Sequence, residues 1–189
     1  MEVSPEDLWS DAPLGGVEDG LERLWTPHRM VYIKDGARLT EECPFCAMCD
    51  GDAADAVRER DEASLVVYRG EVSFVVLNLY PYNPGHLLVC PYRHVADYTE
   101  LTDEETVEIA SLTKTAMTTL RLISGAHGFN LGMNQGAVAG AGIAGHLHQH
   151  VVPRWRGDAN FLPIIGQTKA LPELLADTRD RLAAHWGEV

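Results

Sequence analysis

The spacing of apolar positions changes several times along the chain, and each change predicts an element. Leu65–Tyr68 and Val72–Leu77 are short runs rich in Val and Phe, separated by Arg69-Gly70-Glu71, which predicts a β-hairpin. Asn78-Leu-Tyr-Pro-Tyr-Asn-Pro-Gly85 is dense in Asn, Pro and Gly and reads as a loop. His86–Cys90 is a further strand, ended by Pro91. The period then turns helical: Ile109, Leu112, Ala116, Leu120 and Ile123 fall on one stripe. Thr102-Asp-Glu-Glu105 supplies a capping box at its start, and Gly125 closes it. Phe129–Met133 and His146–Pro153 read as strands, and Ala170–Trp186 as a closing amphipathic helix. Upstream, Leu21, Leu24 and Trp25 begin a helical pattern that Pro27 interrupts before Met30 and Ile33. Antiparallel strands with one helix between them and one after them make an α+β domain.

The 189 residues suit one such domain, organised as an acidic arm over residues 1–40 and a folded unit over 41–189. The net charge of −13 is concentrated early, because residues 1–62 carry 16 acids and 6 bases. That charge argues against gripping a nucleic-acid backbone, and no apolar run is long enough for a membrane span. Met1–Ser10 has neither a basic region nor an apolar stretch, so no signal peptide is expected and the expected location is cytoplasmic.

Chemistry concentrates at Gly145-His-Leu-His-Gln-His-Val-Val152. In a strand, alternate side chains share a face, so His146, His148 and His150 point one way and Leu147, Gln149 and Val151 the other. Three imidazoles on one face suit a metal site or nucleophilic catalysis better than packing, because each buried ring needs a donor and an acceptor satisfied. The preceding stretch, residues 135–145, is built of Gly and Ala around few side chains, which lets backbone N–H groups approach phosphate oxygens. Cysteines stand at 43, 46, 49 and 90. Cys43-Pro-Phe-Cys46 is a Cys-x-x-Cys knuckle, open to zinc, to a redox pair, or with Cys49 and Cys90 to an iron–sulfur cluster. His28, His127 and His185 read as surface or packing residues.

His146-Leu-His148-Gln-His150-Val-Val resembles the signature of the histidine triad family, with Gln149 standing where an apolar residue is usual. Asn78 and Pro84-Gly85-His86-Leu-Leu-Val-Cys-Pro91 resemble that family's strand beside the nucleotide site. Trp155-Arg-Gly-Asp-Ala-Asn-Phe161 resembles the segment after the triad in its dinucleoside polyphosphate-cleaving branch. The likeness covers about residues 64–161. It implies an antiparallel sheet carrying one long helix and a C-terminal helix. It also implies cleavage of dinucleoside polyphosphates through a nucleotidyl-histidine on His148, resolved by phosphate or water.

By the same resemblance, His150 contacts the phosphate or the departing oxygen, His86 supports the triad, and Asn78 lies at the ribose. The leaving-group ligand is Asn134, with Gln135 as the alternative. A hydroxyl residue usual just before the triad is replaced here by Gly142 and Ile143, which leaves phosphate contact to backbone N–H groups. Bacterial members with a Cys pair imply a structural zinc held by Cys43, Cys46, His94 and His146, and a homodimer is implied as well. Two further readings stay open: hydrolysis of nucleoside phosphoramidates or acyl nucleotides, and a non-catalytic nucleotide-binding adaptor. The uridylyltransferase branch fits less well, because its triad ends in Gln where this chain has His150.

Overall fold

The structure, a computed structural model, describes residues 43–49, 61–158 and 171–188. Five strands form one antiparallel sheet: β1 Val66–Arg69, β2 Ser73–Leu77, β3 Leu87–Pro91, β4 Gly128–Met133 and β5 Gln149–Arg154. Their spatial order is β1-β2-β3-β5-β4. Among the described residues, three α-helices accompany them: α1 Pro44–Ala47, α2 Asp103–Ser124 and α3 Leu175–Ala184. The arrangement is the α+β architecture expected, with the long helix and the C-terminal helix in place. The predicted 1–40 arm, its helix around Leu21 and residues 159–170 lie outside the described residues.

β2 and β3 are buried along their whole length, because the sheet is covered on both faces. Their period-2 alternation sorts side chains into two cores. Val75, Leu77, Leu87 and Val89 join Val151, Ile109, Leu112, Ala116, Leu120 and Leu182 beneath α2 and α3. Phe74, Val76, Leu88 and Cys90 face the other way and pack with Val66 and with Phe45 of α1. Truncating a residue such as Leu120, 1% exposed, to Ala costs about 2–5 kcal/mol by the usual cavity argument.

The helix limits predicted from Thr102 and Gly125 are those observed. The Thr102 hydroxyl accepts from the Glu105 N–H, and the Glu105 carboxylate accepts from the Thr102 N–H. Gly125 adopts φ 62°, the left-handed conformation that ends helices at low cost for glycine. Gly85, at φ 74°, precedes His86, and a side chain there would meet Leu120 Cδ2 at 2.9 Å. The long helix therefore sets how closely the loop before β3 can approach.

One strand is shorter than its sequence pattern. His146–Pro153 was expected to be continuous, but the ladder begins only at Gln149. The register pairs Leu87 with Val151, Leu88 with His150 and Val89 with Gln149. Continued, it would set Leu147 against Pro91, which has no N–H to donate. The Leu147 N–H donates to the Val95 carbonyl at 2.7 Å instead, and the chain leaves the sheet. Among the described residues, no helix is long and apolar enough to cross a membrane.

Candidate active site and metal centre

The unpaired end of β5, the loop before β3 and α1 converge on the sheet face opposite α2. Four groups meet there at one end. Cys43 caps α1 and Cys46 lies within it, His94 follows β3, and His146 precedes β5; their ligand atoms all lie within 4.8 Å of one another. Cys43 Sγ is 3.4 Å and Cys46 Sγ 3.5 Å from His146 Nδ1, and Cys46 Sγ is 3.2 Å from His94 Nδ1. A tetrahedral zinc with S and N ligands has edges of about 3.6 Å, so the donor set fits such an ion. His94 is held in place indirectly. Its neighbour Arg93 binds Glu105 at 2.7 Å, and that ion pair, with the Thr102 N–H, keeps the Glu105 carboxyl below its ordinary pKa. Cys49 Sγ donates instead to the Phe45 carbonyl, and Cys90 is fully buried in the adjacent core. Neither joins the cluster, so the geometry favours two Cys and two His over an iron–sulfur set.

The three triad rings have different partners, a backbone carbonyl for His146 and for His148 and a side chain for His150. His146 Nε2 lies 2.9 Å from the Pro91 carbonyl, which can only accept. That nitrogen therefore carries the proton, and Nδ1 turns its lone pair to the thiols. In His148 the roles reverse: Nδ1 lies 2.8 Å from the His146 carbonyl and donates to it. The His148 lone pair is thus on Nε2. Burial pushes the pKa of both His146 and His148 below the usual imidazole value, because desolvation disfavours the charged ring.

His150 is governed from the neighbouring strand. His86, fully buried, receives the Tyr82 N–H on Nδ1 at 3.0 Å, with the Asn78 amide nitrogen 3.2 Å away. Its proton is consequently on Nε2, which donates to His150 Nδ1 at 2.9 Å. A neutral His150 then keeps its own proton on Nε2. The Tyr82 ring stacks over His150 at 5.6 Å and 17°, and His148 meets His150 edge-on at 5.0 Å.

The structure brings His86, His148, His150 and Asn78 together, with His146 joining them to the Cys pair and His94. The Asn78 side chain also accepts the Tyr80 N–H, which fixes its amide. Gln135 is exposed, and its side-chain oxygen accepts the Tyr98 N–H at 3.2 Å; Asn134 is half-buried beyond β4. Gly142 is exposed in the Gly/Ala loop, of which Ala137–Ala139 forms a 3-10 turn. His127 is exposed, as expected of a surface residue.

Several supporting residues escaped the sequence reading. The Asn83 side-chain amide donates to the Pro153 carbonyl and to Asp158, while the Asn83 backbone carbonyl receives the His86 N–H. Asp158 also binds Arg154 at 2.6 Å, and that guanidinium holds its carboxyl far below the ordinary range. Asn83 in a Pro/Gly loop and Asp158 in a turn carry no periodic signal, so only the fold pairs them. Gln149 has a similar explanation. Its amide donates to the Thr113 hydroxyl of α2 at 2.7 Å, and that hydroxyl donates to the Ile109 carbonyl. The polar residue at an ordinarily apolar triad position is thus satisfied by the helix.

Residues 59–157 match the family model described as the HIT domain. An AP-4-A phosphorylase of Mycobacterium tuberculosis is 48% identical over 171 residues, covering 90% of this chain and 87% of that one. An uncharacterised HIT-like protein of Methanocaldococcus jannaschii is 32% identical over 120 residues, covering 64% and 84%. Among solved structures, a Zn-bound histidine triad family protein of Mycobacterium smegmatis superposes with a TM-score of 0.59 at 28% identity, covering 76% of this chain and 92% of that one.

Proposed function

Because the chain belongs to the HIT domain family, we propose that it is an enzyme cleaving dinucleoside polyphosphates such as diadenosine tetraphosphate, with inorganic phosphate as the acceptor. The observation that carries this is the His148 ring: buried, neutral, its Nδ1 proton tied to a backbone carbonyl and its lone pair on Nε2. Such a ring is a nucleophile already in its reactive tautomer. His148 Nε2 attacks the α-phosphorus, the bond to the bridging oxygen breaks, and ATP departs. Phosphate then attacks the adenylyl-imidazole, releasing His148 and forming ADP. His150, with its Nε2 proton set by His86, donates to the departing oxygen or to the phosphate. Asn78 sits at the ribose, Asn134 or Gln135 on the leaving-group side, and the backbone around Gly142 at the phosphates.

The choice of phosphate over water is supported by the name of the mycobacterial relative. A zinc ion at Cys43, Cys46, His94 and His146 is supported by the donor spacing and by the Zn-bound neighbour. With four protein ligands such a centre is closed, so it holds α1 to the sheet and takes no part in the bond changes. A homodimer is supported by β4, an edge strand with Leu131 48% exposed.

Incubation with diadenosine tetraphosphate tests the reading. ADP and ATP are expected only when phosphate is present. AMP formed without phosphate would replace phosphorolysis with hydrolysis. No turnover by the wild type, or undiminished turnover by His148→Ala, overturns the assignment.

A further inference from the structure

Phe45 lies inside the knuckle, between Cys43 and Cys46, on a helix of four residues. It is 4% exposed. Its ring meets two members of the triad at once: His146 at 5.3 Å and 66°, and His148 at 5.2 Å and 46°. The sheet beneath it is the core of Phe74, Val76, Leu88 and Cys90, and Leu88 is the register partner of His150. His148 has its Nδ1 held by the His146 carbonyl and its other flank on His150. Phe45 sets its apolar ring against His148 on a further side.

We propose that Phe45 is a positioning residue for His148, and that the metal knuckle sets the nucleophile through this ring as well as through His146. The inference rests on His148 being the nucleophile. Its physical basis is reach. α1 is too short to be stable alone, and the thiols of its N-cap Cys43 and its own Cys46 are the groups that a metal would fix against His94 and His146. With the thiols anchored, the ring between them cannot leave the triad. With the thiols released, the same segment can lift and take the packing off His148. A reacting ring must be held within a fraction of an ångström, so a loosened buttress lowers the transfer rate more than substrate affinity.

The test compares wild type, Phe45→Ala and Phe45→Leu, each with and without zinc. Single-turnover transfer to His148 from diadenosine tetraphosphate is measured alongside the ¹⁵N–¹H resonance of His148 Nδ1. Phe45→Ala with zinc bound is expected to transfer about tenfold more slowly with KM within about twofold. Phe45→Leu recovers part of the rate. Removing zinc slows the wild type by more than about tenfold and broadens the Nδ1–H resonance, but slows Phe45→Ala by a smaller factor, the part carried through His146. Wild-type transfer by zinc-loaded Phe45→Ala overturns the proposal, as does an equal loss on zinc removal in both proteins. If Phe45→Ala does not retain zinc, Phe45→Leu decides by the same criteria. A sharp, unshifted Nδ1–H resonance in the variants overturns the proposal even if the wild type cleaves no tetraphosphate, in which case the functional reading fails separately.

Discussion

His146 and His148 are two residues apart, both are buried, and burial lowers the pKa of both. Yet they present opposite nitrogens. The Pro91 carbonyl takes the Nε2 proton of His146 and leaves Nδ1 for the thiol pair. The His146 carbonyl takes the Nδ1 proton of His148 and leaves Nε2 for chemistry. A single backbone oxygen per ring therefore separates the ring that turns Nδ1 to the thiols from the ring that keeps Nε2 free, the proposed nucleophile. Identity and burial do not distinguish the two; the acceptor geometry does.

The sharpest way to break this division is at His148. His148→Ala should lower turnover by roughly a thousandfold or more, as for removal of a nucleophile elsewhere, while metal content stays at that of the wild type. Assay of ATP and ADP formation beside metal analysis checks both halves. The complementary change, Cys46→Ser or His146→Ala, should abolish tight zinc binding. The stability lost is about 4 kcal/mol when zinc stands a thousandfold above its dissociation constant, read as a fall in Tm.

The pH profile comes next. Since burial keeps His148 neutral to lower pH, the nucleophile persists as pH falls through about 6.5, and the acid limb of kcat/KM should lie below that value. Below the limb the rate falls about tenfold per pH unit. The sign is the same for stability of the zinc-free protein. The unfolded chain binds protons to these histidines first, so stability declines as pH drops beneath about 6.5.

Smaller effects probe the supports. Asn83→Ala removes donors to Pro153 and Asp158 and should cost about 1–3 kcal/mol in chemical denaturation, with a loss of rate through the His86 loop. Gln135→Ala loses exposed hydrogen bonds to the Tyr98 N–H and the Asp97 carboxylate and should shift stability by about 0.5 kcal/mol or less. Turnover near wild type in Gln135→Ala, against a clear loss in Asn134→Ala, would place the leaving-group contact at Asn134.

Local pattern was enough to determine much of the protein. The Thr102 cap and Gly125 stop depend on neighbours in sequence, so the helix between them was legible. Four of the five strand runs were legible for the same reason, each within about a residue of its observed span, while β5 starts three residues later than its pattern. Alternation along residues 146–150 grouped the three histidines, and the Cys spacing with His94 and His146 named the donor set through a family resemblance.

What the sequence alone did not determine depends on groups far apart in the chain. Pro91 ends the β3–β5 ladder because the register sets it opposite Leu147, 56 positions away in numbering, and a missing N–H has no local signature. Thr113 accommodates Gln149 only because α2 crosses that strand. Asn83 meets Asp158, and Phe45 meets His148, only once the sheet has formed. Which nitrogen of His146 and of His148 keeps its lone pair was decided by carbonyl oxygens that every residue possesses and that only the tertiary fold can aim.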